Sequence, residues 1–268
     1  MENLKGRVVL LTGGSRGLGP VIADSLAKRG ASIALTARSK SRLDEVASNL
    51  RDTDTEVFTF TVDLNRASQR KKLINDVLKE FGKIDILVNN AGLESEGAFT
   101  ELSWSSIQET IEVNLTAPMD LTHLVLPGML ERGSGHIVNI ASIAAKSGGP
   151  YAATYSGTKA GMAEWARGLR LELRNSGVHF STIFPGYARE VGMFARFGMK
   201  PPRMVGSCHP SQVANAVVSA IVKGKREMII NSQPLRYVFV LNELSPKLGD
   251  WLMRISGAVD FQRRKVGK

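Results

Sequence analysis

Two side chains four residues apart, Tyr155 and Lys159, have the types needed for acid–base chemistry on an oxygen atom. In a helix this spacing places both on one face. A free tyrosine titrates near pH ~10 and is a poor acid or base at neutrality. An adjacent ammonium favours the phenolate and lowers the pKa of that tyrosine. Ser142 follows an apolar run that reads as a strand, where its hydroxyl could hydrogen-bond the same reacting oxygen.

A glycine-rich segment lies between the first apolar run and the first amphipathic stretch. Glycines let the backbone turn sharply and approach a pyrophosphate, whose charge is met by N–H groups at a helix N-terminus. The spacing is longer than the common G-x-G-x-x-G. Its place after a strand and before a helix nevertheless favours a dinucleotide site over a plain tight turn. The contacts predicted from this segment are Gly13, Ser15, Arg16, Gly17, Leu18 and Gly19.

The end of the second predicted strand should distinguish NAD from NADP. An acidic residue there would accept the ribose 2′-hydroxyl of NAD, whereas arginine would pair with the 2′-phosphate of NADP. The chain offers Thr36 and Arg38 and no acid at this place, with Arg16 close by in the glycine segment. Two guanidinium groups suit a dianion. We therefore predict NADP(H) as the cofactor.

The elements that must position these residues follow an alternating pattern. Short β-branched runs alternate with longer amphipathic stretches, which is typical of a parallel sheet with helices on both faces. Strands are predicted at 7–12, 33–36, 57–62, 84–88, 136–140, 178–184 and 227–230. Helices are predicted near 17–29, 41–50, 68–81, 104–130, 153–175 and 211–222. We interpret 1–232 as one NADP(H)-binding and catalytic domain and 233–268 as an amphipathic, basic C-terminal extension.

With these elements the chain resembles the short-chain dehydrogenase/reductase family, from the glycine segment to about Asn231. The matching residues occur in the family's order and approximate spacing: Gly13, Gly17, Gly19, Asp63, Asn89, Asn90, Ala91, Gly92, Asn114, Ser142, Tyr155, Lys159, Pro185 and Gly186. The resemblance implies an α/β, single-domain, Rossmann-type doubly wound parallel sheet of about seven strands in the order 3-2-1-4-5-6-7. It also implies an oxidoreductase that moves a hydride between a nicotinamide cofactor and an alcohol or ketone carbon.

The resemblance further implies a role for each matching residue. Tyr155 would donate the proton in reduction and Ser142 would polarise the carbonyl. Lys159 would hold the nicotinamide ribose and tune Tyr155, while Asn114 would anchor a water that links Lys159 to solvent. The other implied cofactor contacts are Asp63 and Leu64 near the adenine, Asn90, Ala91 and Gly92 along the adenosine ribose, and Pro185 and Gly186 beside the nicotinamide.

Four residues near these motifs need separate interpretation. Family members commonly carry threonine where this chain has Glu190, so we leave open whether Glu190 contacts the nicotinamide carboxamide. Tyr151 is not followed by a lysine four residues later, and we interpret it as pocket wall or plain packing. His209 precedes Pro210 and is interpreted as a helix cap or surface residue. Cys208 has no predicted role.

The substrate is predicted to be apolar, because the lid region of the family corresponds to an apolar segment at 189–207. Its flexible and aromatic side chains are Met193, Phe194, Phe197, Met199 and Met204. These suit a lipid-, steroid- or retinoid-like carbonyl, although they could instead only pack the lid on the body. From Pro234 onward an apolar, basic stretch is divided by Pro246. It would close the substrate site, contact a second subunit or lie on a membrane surface.

Composition limits the remaining choices. The net charge is +10, and from Lys223 onward ten Lys and Arg stand against four Asp and Glu. No nucleic-acid motif accompanies this charge, so nucleic acid is not an expected partner. One cysteine excludes an internal disulfide, and we predict no metal site, signal peptide or membrane-spanning run. We expect a cytoplasmic homo-oligomer, dimer or tetramer, with peripheral membrane contact through the extension as an open alternative.

Two other functions stay open. A 3-oxoacyl-thioester reductase of fatty-acid synthesis would share the motifs, and a basic surface would suit an acidic carrier protein. A non-catalytic NADP-binding sensor or scaffold would share only the cofactor site. Ser142, Tyr155 and Lys159 argue against the scaffold, because such a protein need not keep them.

Overall fold

The computed structural model describes residues 3–51, 55–192 and 198–267. In these residues seven strands form one parallel sheet in the order β3-β2-β1-β4-β5-β6-β7, which confirms the predicted fold. The strands are β1 (Val8–Thr12), β2 (Ser32–Ala37), β3 (Val57–Thr61), β4 (Ile86–Asn89), β5 (Gly135–Ile140), β6 (Val178–Pro185) and β7 (Glu227–Ile230).

Helices cover both faces of the sheet, and five of the six predicted helices are present with their ends shifted by a few residues. The helices that the structure describes are α1 (Leu18–Ala27), α2 (Lys40–Arg51), α3 (Ala67–Phe81), α4 (Trp104–Ile111), α5 (Ala117–Glu131), α6 (Ala153–Glu172), α7 (Pro210–Lys223), α8 (Arg236–Leu244), α9 (Pro246–Ile255) and α10 (Ala258–Lys265). Within the described part of the chain, no helix is long and apolar enough to cross a membrane.

Two details differ from the sequence-based expectation. The helical region predicted at 104–130 is two helices joined by a π-helical turn, Glu112–Thr116. Helix α10 was not predicted at all, because it is only 8 residues long and carries charged residues through its last turn. Both details matter for the site, since the π-helical turn holds Asn114 and α10 supplies part of the cleft wall.

The central strands are almost wholly buried because both faces of the sheet are covered, whereas the edge strands β3 and β7 are mostly half-buried. All five residues of β1 and all six of β5 are buried. Side chains alternate along a strand, so Val9 and Leu11 join the apolar core under α1 and α7, while Leu10 joins the core under α3 and α5. β1 pairs with both β2 and β4, so the strand order reverses there. Ligands bind at such a switch point, outside the carboxyl ends of the strands.

Candidate active site

A cleft of about 720 Å³ runs along the carboxyl ends of the strands, from the glycine segment to the C-terminal helices. It gathers side chains from regions far apart in the sequence. The predicted site residues that line it are Gly13, Ser15, Arg16, Gly17, Leu18, Arg38, Asp63, Leu64, Asn90, Ala91, Gly92, Ser142, Tyr155, Lys159, Pro185 and Gly186. Gly19 and Asn114 are not lining residues; each lies behind the wall.

The glycine segment turns in a way that side chains would obstruct. Gly13 has φ +68°, and a Cβ there would lie 2.9 Å from the Cα of Ala91. A Cβ on Gly19 would lie 2.1 Å from the carbonyl oxygen of Gly13. Gly17 precedes α1, whose first turn has no side-chain cap, so its N–H groups can meet an anion. This backbone cradle fits the pyrophosphate of a dinucleotide.

Thr12 and Asn90 tie the glycine segment to the end of β4. The Thr12 hydroxyl accepts hydrogen bonds from the N–H groups of Asn90 and Ala91, both 3.0 Å long. The Asn90 amide donates to the carbonyl oxygens of Thr12 at 2.9 Å and Gly13 at 3.2 Å. The Asn90 side chain therefore holds the start of the glycine segment in place. Thr12 was missed by sequence reasoning because a buried threonine at the end of a strand carries no distinctive signal.

Three arginines line one end of the cleft: Arg16, Arg38 and Arg42. Arg38 follows β2, and its Nη1 lies 3.4 Å from Glu109 Oε1 in a half-exposed pair. Exposed ion pairs contribute little to the stability of a fold. Arg38 can therefore exchange Glu109 for a ligand with little loss of free energy. Sequence reasoning missed Arg42, although its signal was present: it lies four residues beyond Arg38 at the start of α2. Three guanidinium groups around one opening fit a phosphate group.

The predicted acid–base residues meet near the centre of the cleft. Ser142 follows β5, and its side chain hydrogen-bonds that of Tyr155. Lys159 lies one turn further along α6, where its Nζ is 5.8 Å from the centroid of the Tyr155 ring. The Lys159 ammonium also donates a 2.8 Å hydrogen bond to the carbonyl oxygen of Ile140. Ser142 after β5 and the pair Tyr155 and Lys159 on α6 thus meet at one place, where all three can act on one oxygen atom.

Burial sets the protonation of this group. Burial, followed by the nearby charge of Glu94, raises the pKa of Tyr155 above its usual value, while the hydrogen bond from Ser142 lowers it. Burial lowers the pKa of Lys159 to about 8, and Glu94 opposes that change. Near neutral pH the phenol is therefore protonated and most of the lysine is charged. Those are the states that proton donation to a carbonyl oxygen requires.

Asn114 occupies the π-helical turn between α4 and α5. Its Oδ1 accepts from the N–H of Leu93 at 2.7 Å, and its Nδ2 donates to the Leu93 carbonyl at 2.8 Å and to Thr158 Oγ1 at 3.1 Å. Thr158 in turn donates to the carbonyl oxygen of Tyr155 at 2.7 Å. Asn114 therefore fixes the loop after β4 against α6. Single π-turns of this kind are frequent at functional sites.

An ion cluster that sequence reasoning did not anticipate stands in the cleft wall. Lys265, from α10, pairs with Glu94 at 3.3 Å and more closely with Glu96. The Lys265 side chain is 1% exposed. Burial and then the neighbouring Glu94 raise the pKa of Glu96 to about 8, and Lys265 acts in the opposite direction. The residues are about 170 positions apart in the sequence, so no local pattern indicated the cluster.

We expect this cluster to make the free energy of unfolding depend on pH. The folded pKa of Glu96 lies above the value of about 4.5 for a free carboxyl. The stabilisation of the fold by protonated Glu96 is therefore complete below about pH 4.5, and it is lost as the pH rises towards about 8. We expect the melting temperature of the wild type to fall across this window and the fall to be smaller in Glu96→Gln. Calorimetry over the window tests this, with exposed Glu131→Gln as control; equal slopes in all three proteins would contradict it.

The segment beyond Pro234 closes the other half of the cleft. Eleven lining residues come from α8, α9, α10 and their connections: Leu235, Val238, Phe239, Asn242, Gly249, Leu252, Met253, Ser256, Ala258, Gln262 and Lys265. Most are apolar. The Oε1 atom of Gln262 is buried and has no hydrogen-bond partner among the described residues. This half of the cleft therefore suits a largely apolar molecule.

The four residues interpreted separately lie outside the cleft lining. Glu190 has φ +70° and an exposed side chain whose carboxylate lies 3.2 Å from His209 Nε2. His209 caps α7 in a capping box, which agrees with its interpretation as a cap. Tyr151 has φ +60°, and its hydroxyl accepts a 3.3 Å hydrogen bond from Arg263. Cys208 is buried, and burial raises its pKa to about 11.

The predicted substrate lid is described only in part. Met204 lines the cleft and is 57% exposed. Met199 does not line the cleft. Met193, Phe194 and Phe197 lie outside the described residues, so the interpretation of these three as a substrate wall stays a prediction.

Comparisons with known proteins agree with this geometry. A family model described as short chain dehydrogenase matches residues 7–200. The chain is 39% identical over 271 aligned residues to the ketoacyl reductase HetN of a Nostoc species, covering 99% of this chain and 94% of the relative. It is 31% identical to dehydrogenase/reductase SDR family member 7B of Danio rerio, covering 92% of this chain and 84% of that one.

A solved structure shows the same architecture. The alcohol dehydrogenase of the archaeon Thermococcus sibiricus, complexed with 5-hydroxy-NADP, superposes with a TM-score of 0.75 at 31% identity. The match covers 84% of this chain and 96% of the other. The family model spans both the glycine segment and the acid–base residues. On this evidence the chain belongs to the short-chain dehydrogenase/reductase family.

Proposed function

We propose that the protein is an NADP(H)-dependent carbonyl reductase or alcohol dehydrogenase for apolar small molecules. One observation carries the proposal: Ser142, Tyr155 and Lys159 meet in the wall of a single cleft that also holds the glycine cradle. A scaffold that only bound a cofactor would need the cradle alone. The buried, hydrogen-bonded acid–base group therefore favours catalysis.

The residues present fit a nicotinamide dinucleotide. The cradle around Gly13 would hold the pyrophosphate, and Asp63 beside Leu64 would meet the adenine half. Arg16, Arg38 and Arg42 would hold the 2′-phosphate, and no acid stands at Thr36 or Ala37 to favour NAD. Pro185 and Gly186 would flank the nicotinamide. When bound, this cofactor supplies or accepts the hydride.

The protein's own groups would manage the proton. The Tyr155 hydroxyl donates its proton to the carbonyl oxygen as that oxygen gains electron density, and Ser142 hydrogen-bonds the same oxygen. The Lys159 ammonium stabilises the phenolate that remains, because an adjacent positive charge favours the charged form. In the direction of alcohol oxidation the same phenolate accepts the proton. Asn114 acts at a distance by holding the Leu93 loop and, through Thr158, the backbone of Tyr155.

The substrate class follows from the C-terminal wall of the cleft. Leu235, Phe239, Leu252 and Met253 suit an alkyl chain or fused rings, and the amide oxygen of Gln262 can accept from a polar group. Lipid-, steroid- and retinoid-like carbonyls all have an apolar body that such a wall can contact. A 3-oxoacyl thioester is the second candidate. It is supported by the relative that is named a ketoacyl reductase, whose alignment covers 99% of this chain.

The proposed activity is tested by following NADPH absorbance with a panel of carbonyl compounds. The panel contains long-chain ketones, steroid and retinoid carbonyls, a 3-oxoacyl thioester and polar sugars. We expect kcat/KM to rise with apolar surface. A preference for the thioester over ketones of equal chain length would select the second candidate. No turnover with any member, in either direction, while NADPH binds tightly would favour the scaffold.

The cofactor preference gives a sharper test. Replacing Arg38 by Asp removes a charge-assisted contact worth about 1.5–3 kcal/mol and places repulsion beside the 2′-phosphate. We expect NADPH affinity to fall by about 10- to 100-fold, with little change for NADH. Titration calorimetry with both cofactors measures this. Arg167→Asp, at a similarly exposed arginine paired with Glu164, is the control. Equal wild-type affinities for NADPH and NADH would refute the preference.

A further inference from the structure

The two helices α8 and α9 form a hairpin whose halves pack closely at one point. A Cβ on Gly249 would lie 1.9 Å from Asn242 Oδ1, so the glycine in α9 is what lets α8 approach. The inner face of this hairpin lines the reaction cleft. Its outer face is apolar and, among the described residues, is exposed to solvent.

The outer face carries large apolar side chains at helical spacing. In α8 the residues one turn apart are Tyr237, Val240, Leu241 and Leu244, which are 75%, 52%, 41% and 77% exposed. In α9 they are Leu248, Trp251 and Ile255, which are 37%, 54% and 50% exposed. We call these seven residues the outer apolar face. Such a concentration of exposed apolar surface on two short helices marks an interaction site rather than scattered surface residues.

Positive charge accompanies this face. Arg236 precedes Tyr237, and Lys247 and Arg254 lie seven residues apart on α9, adjacent to the apolar stripe. Glu243 and Asp250 only partly offset these three cations, so the two helices carry one net positive charge (three basic less two acidic residues). Helix α9 therefore has an inward face, an apolar exposed face and a charged exposed face. That arrangement is typical of helices that lie in a membrane interface.

The charge distinguishes the two occupants that an apolar face could have. In a twofold contact between copies, the same patch meets itself, so the cations of one copy would approach those of the other. An anionic bilayer instead offers opposite charge to those cations and an apolar interior to the side chains. Trp251 and Tyr237 are also the residue types that sit at the headgroup level.

We propose that the outer apolar face docks on an anionic phospholipid surface. Docking would place the hairpin between the bilayer and the cleft, so an apolar molecule dissolved in the lipid lies next to the cleft wall. This inference concerns binding and stands apart from the catalytic proposal. A protein without reductase activity could still dock, and an active enzyme could fail to do so.

The test is co-sedimentation of the full chain with vesicles of phosphatidylcholine alone or mixed with phosphatidylglycerol. We expect binding to the mixed vesicles, weakened by salt because exposed charges are screened beyond ~8 Å at physiological ionic strength. The variant Leu244→Glu/Trp251→Glu should bind at least about tenfold more weakly, since it loses two buried side chains on docking. The variant Lys247→Gln/Arg254→Gln should lose the preference for anionic lipid.

The matched control replaces one leucine and one tryptophan outside the outer apolar face by glutamate, at positions of similar exposure. Leu171 is 65% exposed and Trp104 is 66% exposed, so Leu171→Glu/Trp104→Glu has the same charge change. It should retain vesicle binding, and unchanged melting temperatures establish that all variants fold. Absent binding by the wild type, or an equal loss in the control, would overturn the proposal. So would a smaller mass of Leu244→Glu/Trp251→Glu by light scattering without lipid, since that would assign the face to a contact between copies.

Discussion

Tyr155→Phe is expected to lower kcat by about 10²–10⁴-fold, the usual contribution of a positioned general acid. The substitution removes only the hydroxyl that Ser142 hydrogen-bonds and leaves the buried ring in place. Cofactor affinity should therefore stay close to that of the wild type. Single-turnover kinetics with NADPH and a substrate from the panel, together with cofactor titration, separates the two effects.

Tyr151→Phe is the matched control for this prediction. Tyr151 also carries a phenol just before α6, but its hydroxyl pairs with Arg263 and does not line the cleft. Its loss should leave kcat almost unchanged. If Tyr151→Phe lost activity and Tyr155→Phe retained it, the proton donor would have been assigned to the wrong phenol.

Lys159→Met is expected to impair both binding and chemistry. It removes the buried ammonium and the 2.8 Å hydrogen bond to the Ile140 carbonyl oxygen. Without that cation the Tyr155 phenolate is less stable, so its pKa rises further above the usual value. We expect kcat to fall by about 10²-fold or more and the KM for the cofactor to rise.

The pH dependence of the rate of alcohol oxidation distinguishes loss of the Lys159 charge from loss of packing alone. Alcohol oxidation requires the phenolate, so the rise of its rate with pH should move to higher pH in Lys159→Met. Lys146→Met serves as control, because Lys146 pairs with Glu227 and neighbours Phe184 rather than Tyr155. A Lys159→Met enzyme with an unshifted profile and an unchanged cofactor KM would show that the lysine is only structural.

Local spacing allowed much of the fold and site to be predicted. The alternation of strands and helices predicted a parallel sheet with helices on both faces, and the resemblance to the family implied the strand order. Tyr155 and Lys159 fall on one helical face because four residues make about one turn. Ser142 was placed correctly because a residue that ends a central parallel strand must lie at the ligand-binding edge. These are properties of short segments, which a sequence displays directly.

The residues that were missed depend on contacts between distant segments. Lys265 reaches Glu94 and Glu96 across about 170 residues, and only the packing of α10 brings them together. Tyr187 likewise reaches the cleft wall through an edge-to-face contact with Phe261, with ring centroids 5.4 Å apart. Their types are ordinary for a surface loop and a charged terminal helix, so periodicity gave no reason to select them.

The contribution of α8, α9 and α10 to the cleft has a consequence for biosynthesis. The residues that would hold the cofactor all precede α7, so they leave the ribosome before the wall formed by Leu235, Phe239 and Gln262. Since chains emerge and begin to fold from the N-terminus, the nascent protein exposes the apolar floor of its cleft until these last helices arrive. Apolar surface that is exposed during this interval favours aggregation of the growing chain.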